Sequence, residues 1–222
     1  MDWQALALSL KLAACTVAVL LPIGIVAGRA LAWRRFAGRR IAEAALALPL
    51  VLPPTVLGYY LLSAFGTRNA FGRAFDALVG HPLAFSFAGL LVASVVFNLP
   101  FAVQPMQRAF EAIPAEVRPA AACCGMSPWR IFVDIEMPLA WPGVLSALVL
   151  TFAHTLGEFG VVLMVGGNIP GETRTIAIAI YDRVQAFDTH AAGMMAAVLL
   201  ALSLVAIAIA YSTQWRAEPA RG

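Results

Sequence analysis

Five stretches of this chain stay apolar for about the 20 residues that a helix needs to cross the hydrocarbon core of a bilayer. They are 6–32, 41–65, 83–103, 143–165 and 191–211. This pattern predicts an all-α integral membrane protein with about five transmembrane helices. The second stretch is interrupted by Pro49, Pro53 and Pro54. Proline breaks a helix and pushes the residue before it out of the α conformation. Such irregular backbone is tolerated at membrane depth only where protein buries it or it lines a wet cavity. A further run, Ile176-Ala177-Ile178-Ala179-Ile180, is too short to span. Segment 173–187 is therefore expected to be a short helix that dips into the membrane or lies at its surface.

Composition agrees with this class. Hydrophobic residues make up 61% of the 222 residues and charged residues 12%, with a mean hydropathy of +0.83. A soluble domain carries about 45–50% apolar and about 25% charged residues. A soluble enzyme, a disordered chain and a nucleic-acid binder are all excluded, since a net charge of +3 from dispersed arginines offers no basic patch. The first stretch starts at Asp2 rather than in a basic segment and is too long for a cleaved signal peptide. Arg29, Arg34, Arg35, Arg39 and Arg40 follow it, which makes that connection cytoplasmic by the positive-inside rule. The N-terminus is then outside and the C-terminus inside. Ten of the fifteen basic residues fall inside, the others being Arg108, Arg118, Arg130, Arg216 and Arg221.

Cys15, Cys123 and Cys124 show no metal or redox spacing and read as small apolar helix residues. His81, His154 and His190 are isolated, so no metal site and no cofactor are expected. The only lysine, Lys11, lies in an apolar helix rather than in a glycine-rich phosphate loop. Any ATP-driven activity must come from another subunit.

Segment 104–142 is the most informative. Pro119 suits the first turn of a helix, Gly125 a C-terminal stop, and Ser127-Pro128 an N-cap followed by proline at the first helical position. A helix, a turn and a second short helix are expected, the second closed by Pro138 and Pro142 before the membrane is re-entered. Ala120, Ala121, Gly125, Ile135 and Pro138 fall on the E-A-A-x-x-x-G-x(9)-I-x-L-P spacing of type I ABC-importer permeases, which this segment resembles. Pro119 replaces the usual glutamate and Met137 the leucine. The resemblance implies that helix 127–135 docks on a partner ATPase, with Ser127, Trp129, Arg130, Phe132 and Val133 at the contact. The bland alternative is an amphipathic connector.

Three further runs narrow the resemblance. They are Leu48-Pro49-Leu50-Val51-Leu52-Pro53-Pro54, Leu156-Gly157-Glu158-Phe159-Gly160 and Ile169-Pro170-Gly171-Glu172-Thr173-Arg174-Thr175. With the loop they resemble the molybdate permeases within that family, over residues 8–211. The glutamate run is shared with sulfate, thiosulfate and tungstate permeases. The anion is thus implied by resemblance alone.

Helical spacing places Thr55, Tyr59 and Ser63 on one face of the second span, Ser94 and Asn98 on one face of the third, and Thr151, Thr155 and Glu158 on one face of the fourth. These faces suggest either a shared polar pathway or hydrogen bonds that hold the bundle together. Glu158 would repel an oxyanion, so a structural or gating role is expected, paired with His154, a backbone donor or an arginine. Gly157 and Gly160 would admit a neighbouring helix. Beyond them, Glu172 and Arg174 are either docking charges for a binding protein or simply solvated.

The reading is a single permease domain over 1–222, of the MetI-like type I fold, in a bacterial cytoplasmic membrane. By resemblance it acts as a homodimer with a cytoplasmic ABC ATPase and a periplasmic oxyanion-binding protein. Other classes are an intramembrane hydrolase, for which only Ser94 and His154 offer a pair, and a scaffold that transports nothing.

Overall fold

A computed structural model describes residues 1–215, with side chains to Ile209. Arg216 and Arg221, used above for orientation, lie outside the described residues. The described chain is helical throughout: α1 (Trp3–Trp33), α2 (Arg39–Val51), α3 (Pro54–Phe65), α4 (Ala70–Val79), α5 (Phe87–Glu111), α6 (Val117–Cys123), α7 (Pro128–Ile131), α8 (Met137–Gly157), α9 (Gly160–Gly166), α10 (Ile176–Gln185) and α11 (Thr189–Trp215). Four continuous helices are long and apolar enough to cross a membrane: Trp3–Trp33, Phe87–Glu111, Pro128–Gly157 and Thr189–Ile209.

The second apolar stretch is broken at its prolines, as expected, and the break is sharp. It forms α2 and α3, bent by 110°. Leu52 and Pro53 are both extended between them, and Pro54 opens α3 at its first position. The extended backbone before each proline is what the Cδ clash requires. Pro49, by contrast, lies inside α2 without ending it. At 13 and 12 residues the two pieces reach only about 20 Å each, short of the hydrocarbon thickness. Segment 66–82 also contains a helix that hydropathy did not indicate. This is α4, started by the Asn69 side chain, which accepts from Phe71 N, and stopped by left-handed Gly80.

The fourth stretch is shifted as well. Its helix starts at Pro128 and runs through a π-helical turn, Phe132–Glu136, directly into α8. Pro138 and Pro142 do not close a separate helix: Pro138 follows directly on the π turn, Pro142 lies inside α8, and the helix runs through both. At the other end α8 stops at Gly157, and Glu158 and Phe159 separate it from α9. The helix expected over 173–187 is observed as α10.

The core is built around α5, which packs on α1, α2, α8 and α9. Leu12 and Leu20 of α1, Leu90, Met106 and Phe110 of α5, and Val144 and Ala147 of α8 are buried. In lipid no hydrophobic force separates helix from bilayer, so small residues that admit close approach decide such contacts. Gly24 and Gly28 of α1 face Met106 and Gln107 of α5: a Cβ at Gly28 would stand 2.9 Å from the Gln107 backbone N. Gly143 of α8 meets Ala109 of α5 as closely. Gly28→Val should therefore destabilise the chain by about 1–3 kcal/mol through overpacking, read as a lower unfolding midpoint in detergent. Gly157→Ala, where a Cβ meets nothing within 4 Å, should leave the midpoint unchanged or raise it.

Candidate functional site

The connection between α5 and α8 forms a compact elbow. α6 ends in a left-handed Gly125 (φ +79°). Gly125 N donates to Ala122 O and Met126 N to Ala121 O, the paired bonds of a Schellman stop. Ser127 then caps α7, its Oγ accepting from Arg130 N, with Pro128 at the first position. The π turn follows. Met137 N reaches Phe132 O, and Pro138 contributes no N–H to the turn before it. A π turn inserts one extra residue in the helix and so re-aims the side chains on either side of it.

That turn carries Glu136, which is 0% exposed. Its carboxylate accepts from Arg29 Nε at 2.6 Å and Arg29 Nη2 at 3.2 Å. Arg118 Nε stands 2.9 Å away as a second ion pair. One carboxylate therefore joins the end of α1, the start of α6 and the root of α8. Trp33 supports the cluster, with the Arg118 guanidinium 4.1 Å and the Arg29 guanidinium 5.4 Å from its ring. The Phe132 ring lies 5.2 Å from Arg29. Cation–π contacts of this kind offset part of the cost of drying the charges.

Around this anchor the expected docking residues divide. Trp129 is 70% exposed, and Arg130, Val133, Ser127, Ala120 and Pro138 are exposed with it. Arg130 pairs with Asp134 at 3.5 Å. Phe132 turns instead toward α1, Ile135 is half-buried, and Ala121 is buried. Arg29, Arg118, Trp33 and Glu136 were not singled out from sequence. The available signal was an arginine closing one apolar span and a glutamate opening another.

The polar faces inside the bundle do not form one shared interior. Thr16 Oγ1 donates to Ser94 Oγ at 2.9 Å, Asn98 Nδ2 donates to Ser94 O at 2.9 Å, and His154 Nδ1 lies 3.0 Å from Asn98 Oδ1. The His154 ring stacks on Phe97 and Phe101. Thr155 Oγ1 donates to Thr151 O in its own helix, while Thr151 Oγ1 is buried without a partner among the described residues. Thr55, Tyr59 and Ser63 stand apart on the exposed side of α3. The opposite side of α3 is committed to α9, where Gly58 meets Met164 and Val161. Glu158 does not pair with His154. It accepts from Val161 N at 3.0 Å and so caps α9. Of the two glycines beside it, Gly160 is approached by Pro54, and nothing closes on Gly157.

At the far end of the bundle, Glu172, Thr173 and Arg174 all donate their backbone N–H to Ile169 O. Arg174 Nε donates to Asn168 Oδ1 at 2.6 Å, and Asn168 Nδ2 donates to Asp182 Oδ2 at 2.8 Å. Glu172 is exposed, whereas Arg174 is tied into this network.

Residues 21–215 match the family described as "Binding-protein-dependent transport system inner membrane component". The molybdenum transport system permease protein ModB of Azotobacter vinelandii is 45% identical over 213 residues, 96% of this chain and 94% of that protein. The sulfate transport system permease protein CysT of Escherichia coli (strain K12) is 34% identical over 187 residues, 81% of this chain and 66% of that one. The MetNI methionine ABC transporter, solved in inward-facing conformations, superposes with a TM-score of 0.70 at 17% identity, over 98% of this chain and 94% of its own. The fold is therefore that of a type I ABC-importer permease.

Replacing Glu136 by alanine would leave two guanidiniums facing each other. The expected cost is about 3 kcal/mol, the lower end for a broken buried pair, because both arginines keep a path to water. Denaturation of the purified chain checks this.

Proposed function

The chain belongs to the binding-protein-dependent transport system inner membrane components, and we propose that it is the permease subunit through which an ATP-driven importer carries molybdate inward. It is a transport subunit rather than an enzyme. Its family works with an ABC ATPase and a substrate-binding protein. The observation that carries the substrate is the near full-length similarity to a molybdenum permease, higher and wider than that to a sulfate permease.

The exposure and contacts of each element support a role for it. The arginine-rich end faces the cytoplasm, where basic residues are retained. There the exposed Trp129, Arg130 and Val133 enter the ATPase, while Phe132 and Glu136 hold the elbow to α1. Two copies pair about a two-fold axis, the commonest closed assembly. The exposed Thr55, Tyr59 and Ser63 face of α3 then lines the passage between them. Ser94 and Asn98 serve as internal glue through Thr16 and His154, while Thr151 and Thr155 are buried without bonding to another helix among the described residues. Glu158 holds the α8–α9 junction, a point where the outer part of the span can pivot. On the outer surface Glu172 is the free docking charge for the binding protein. Alternating access is then a rocking of these rigid pieces, biased by ATP binding on another chain.

Uptake of labelled molybdate by the assembled importer, in cells without their own high-affinity systems, tests this reading. Uptake should require ATP, fall when tungstate competes, and persist in excess sulfate. Suppression by sulfate would move the chain to the sulfate permeases. Trp129→Ala should leave membrane insertion intact while weakening association with the ATPase about 30-fold, the weight of one aromatic hot spot. Co-purification and uptake read both.

A further inference from the structure

A pocket of about 690 Å³ opens beside the arginine cluster, on the side away from Glu136. Its lining changes character along its length. Ile25 and Val26 of α1 form one end, and Val26 is 69% exposed on a helix apolar enough to cross a membrane. Arg29, Arg34 and Arg118 form the other, flanked by Trp33 and Trp129. Three guanidiniums meet one carboxylate, that of Glu136, which lines the neighbouring cleft and not this one. Two positive charges are left over. Arg34 is exposed and has no ion-pair partner among the described residues.

We infer that this pocket binds the headgroup of an anionic phospholipid, its phosphate on Arg34 and Arg118 and an acyl chain along Val26 and Ile25. Guanidiniums match phosphate oxygens as forks and remain charged at any working pH. The Trp33 indole suits this position, since indoles prefer the boundary between hydrocarbon and water. Basic pockets between helices at the cytoplasmic surface suit acidic lipid headgroups on these grounds. A zwitterionic lipid would bring its own cation against the surplus positive charge. A soluble anion would leave the Val26 end facing no partner. The site adjoins the root of the elbow, since Phe132 lines it as well. An occupied pocket would therefore brace α1 against the docking helix.

Native mass spectrometry of the complex assembled with its ATPase, after delipidation, tests the proposal. The complex is titrated separately with phosphatidylglycerol, phosphatidylethanolamine and inorganic phosphate. One phosphatidylglycerol should be retained per copy of this chain, at least tenfold more tightly than phosphatidylethanolamine, and millimolar phosphate should not displace it. Arg34→Gln, at an exposed and unpaired position, should weaken retention about fivefold, the weight of one basic side chain at an anionic surface. Arg40→Gln, outside the pocket, should not. Equal retention of the two lipids, displacement by phosphate, or unchanged binding in Arg34→Gln would each overturn the site. So would lipid held by the isolated chain but excluded from the complex, which would mean that the ATPase fills the pocket.

Discussion

A single buried carboxylate organises the arginine-rich end of this protein. Glu136 has no exposure and is held by Arg29 from α1 and Arg118 from α6. Replacing such a cluster by apolar side chains often costs nothing, so its value is not stability as such. Its value is that it is directional. An apolar contact would let α1 slide along α8, whereas a forked guanidinium on a carboxylate allows only one register. Gly24 and Gly28 of α1 and Gly143 of α8 bring both helices close to α5 instead, through contacts that permit translation. The ion cluster removes that freedom where the elbow begins.

From this anchor, α8 runs as a 21-residue helix, a rod of roughly 30 Å, to a second carboxylate at its other end. Glu158 caps α9 across the break, so the junction keeps a fixed hydrogen bond while its backbone leaves the helical conformation. α9 packs in turn on α3 through Gly58 and Gly160. A displacement applied to the exposed Trp129 therefore has a continuous route of packed backbone to α3. The π turn sits at the input of that route. It is the place where a helix most readily adds or loses a residue of register.

Much of this was legible in the residues. The four long spans follow hydropathy, the Leu52–Pro53–Pro54 break follows steric rules, and the Gly125 stop and Ser127-Pro128 start follow capping chemistry. What escaped is what depends on partners distant in sequence. Nothing local says that Glu136 lies opposite Arg29, 107 residues away. The continuity of α7 into α8 was hidden because Pro138 and Pro142 read as stops, although the helix runs through both. The amphipathic α4 is too polar for a hydropathy window and too short to stand out. The spacing of Thr55, Tyr59 and Ser63 puts them on one face, but spacing does not say what that face meets.

Hydrogen bonding also constrains where a substrate passes. Ser94, Asn98, Thr16 and His154 consume one another's hydrogen-bonding capacity inside a tightly packed bundle. Opening that cluster to an oxyanion would first break several buried hydrogen bonds and separate α1 from α5. The face of α3 has no such cost. Its tyrosines and hydroxyls are exposed on one chain, yet a hydroxyl facing lipid is as poorly solvated as a buried one. It needs water or another polar surface. The second copy proposed above would supply both across a wet interface, and Glu158 would stay out of the way of an anion because its carboxyl is already committed to Val161 N of α9.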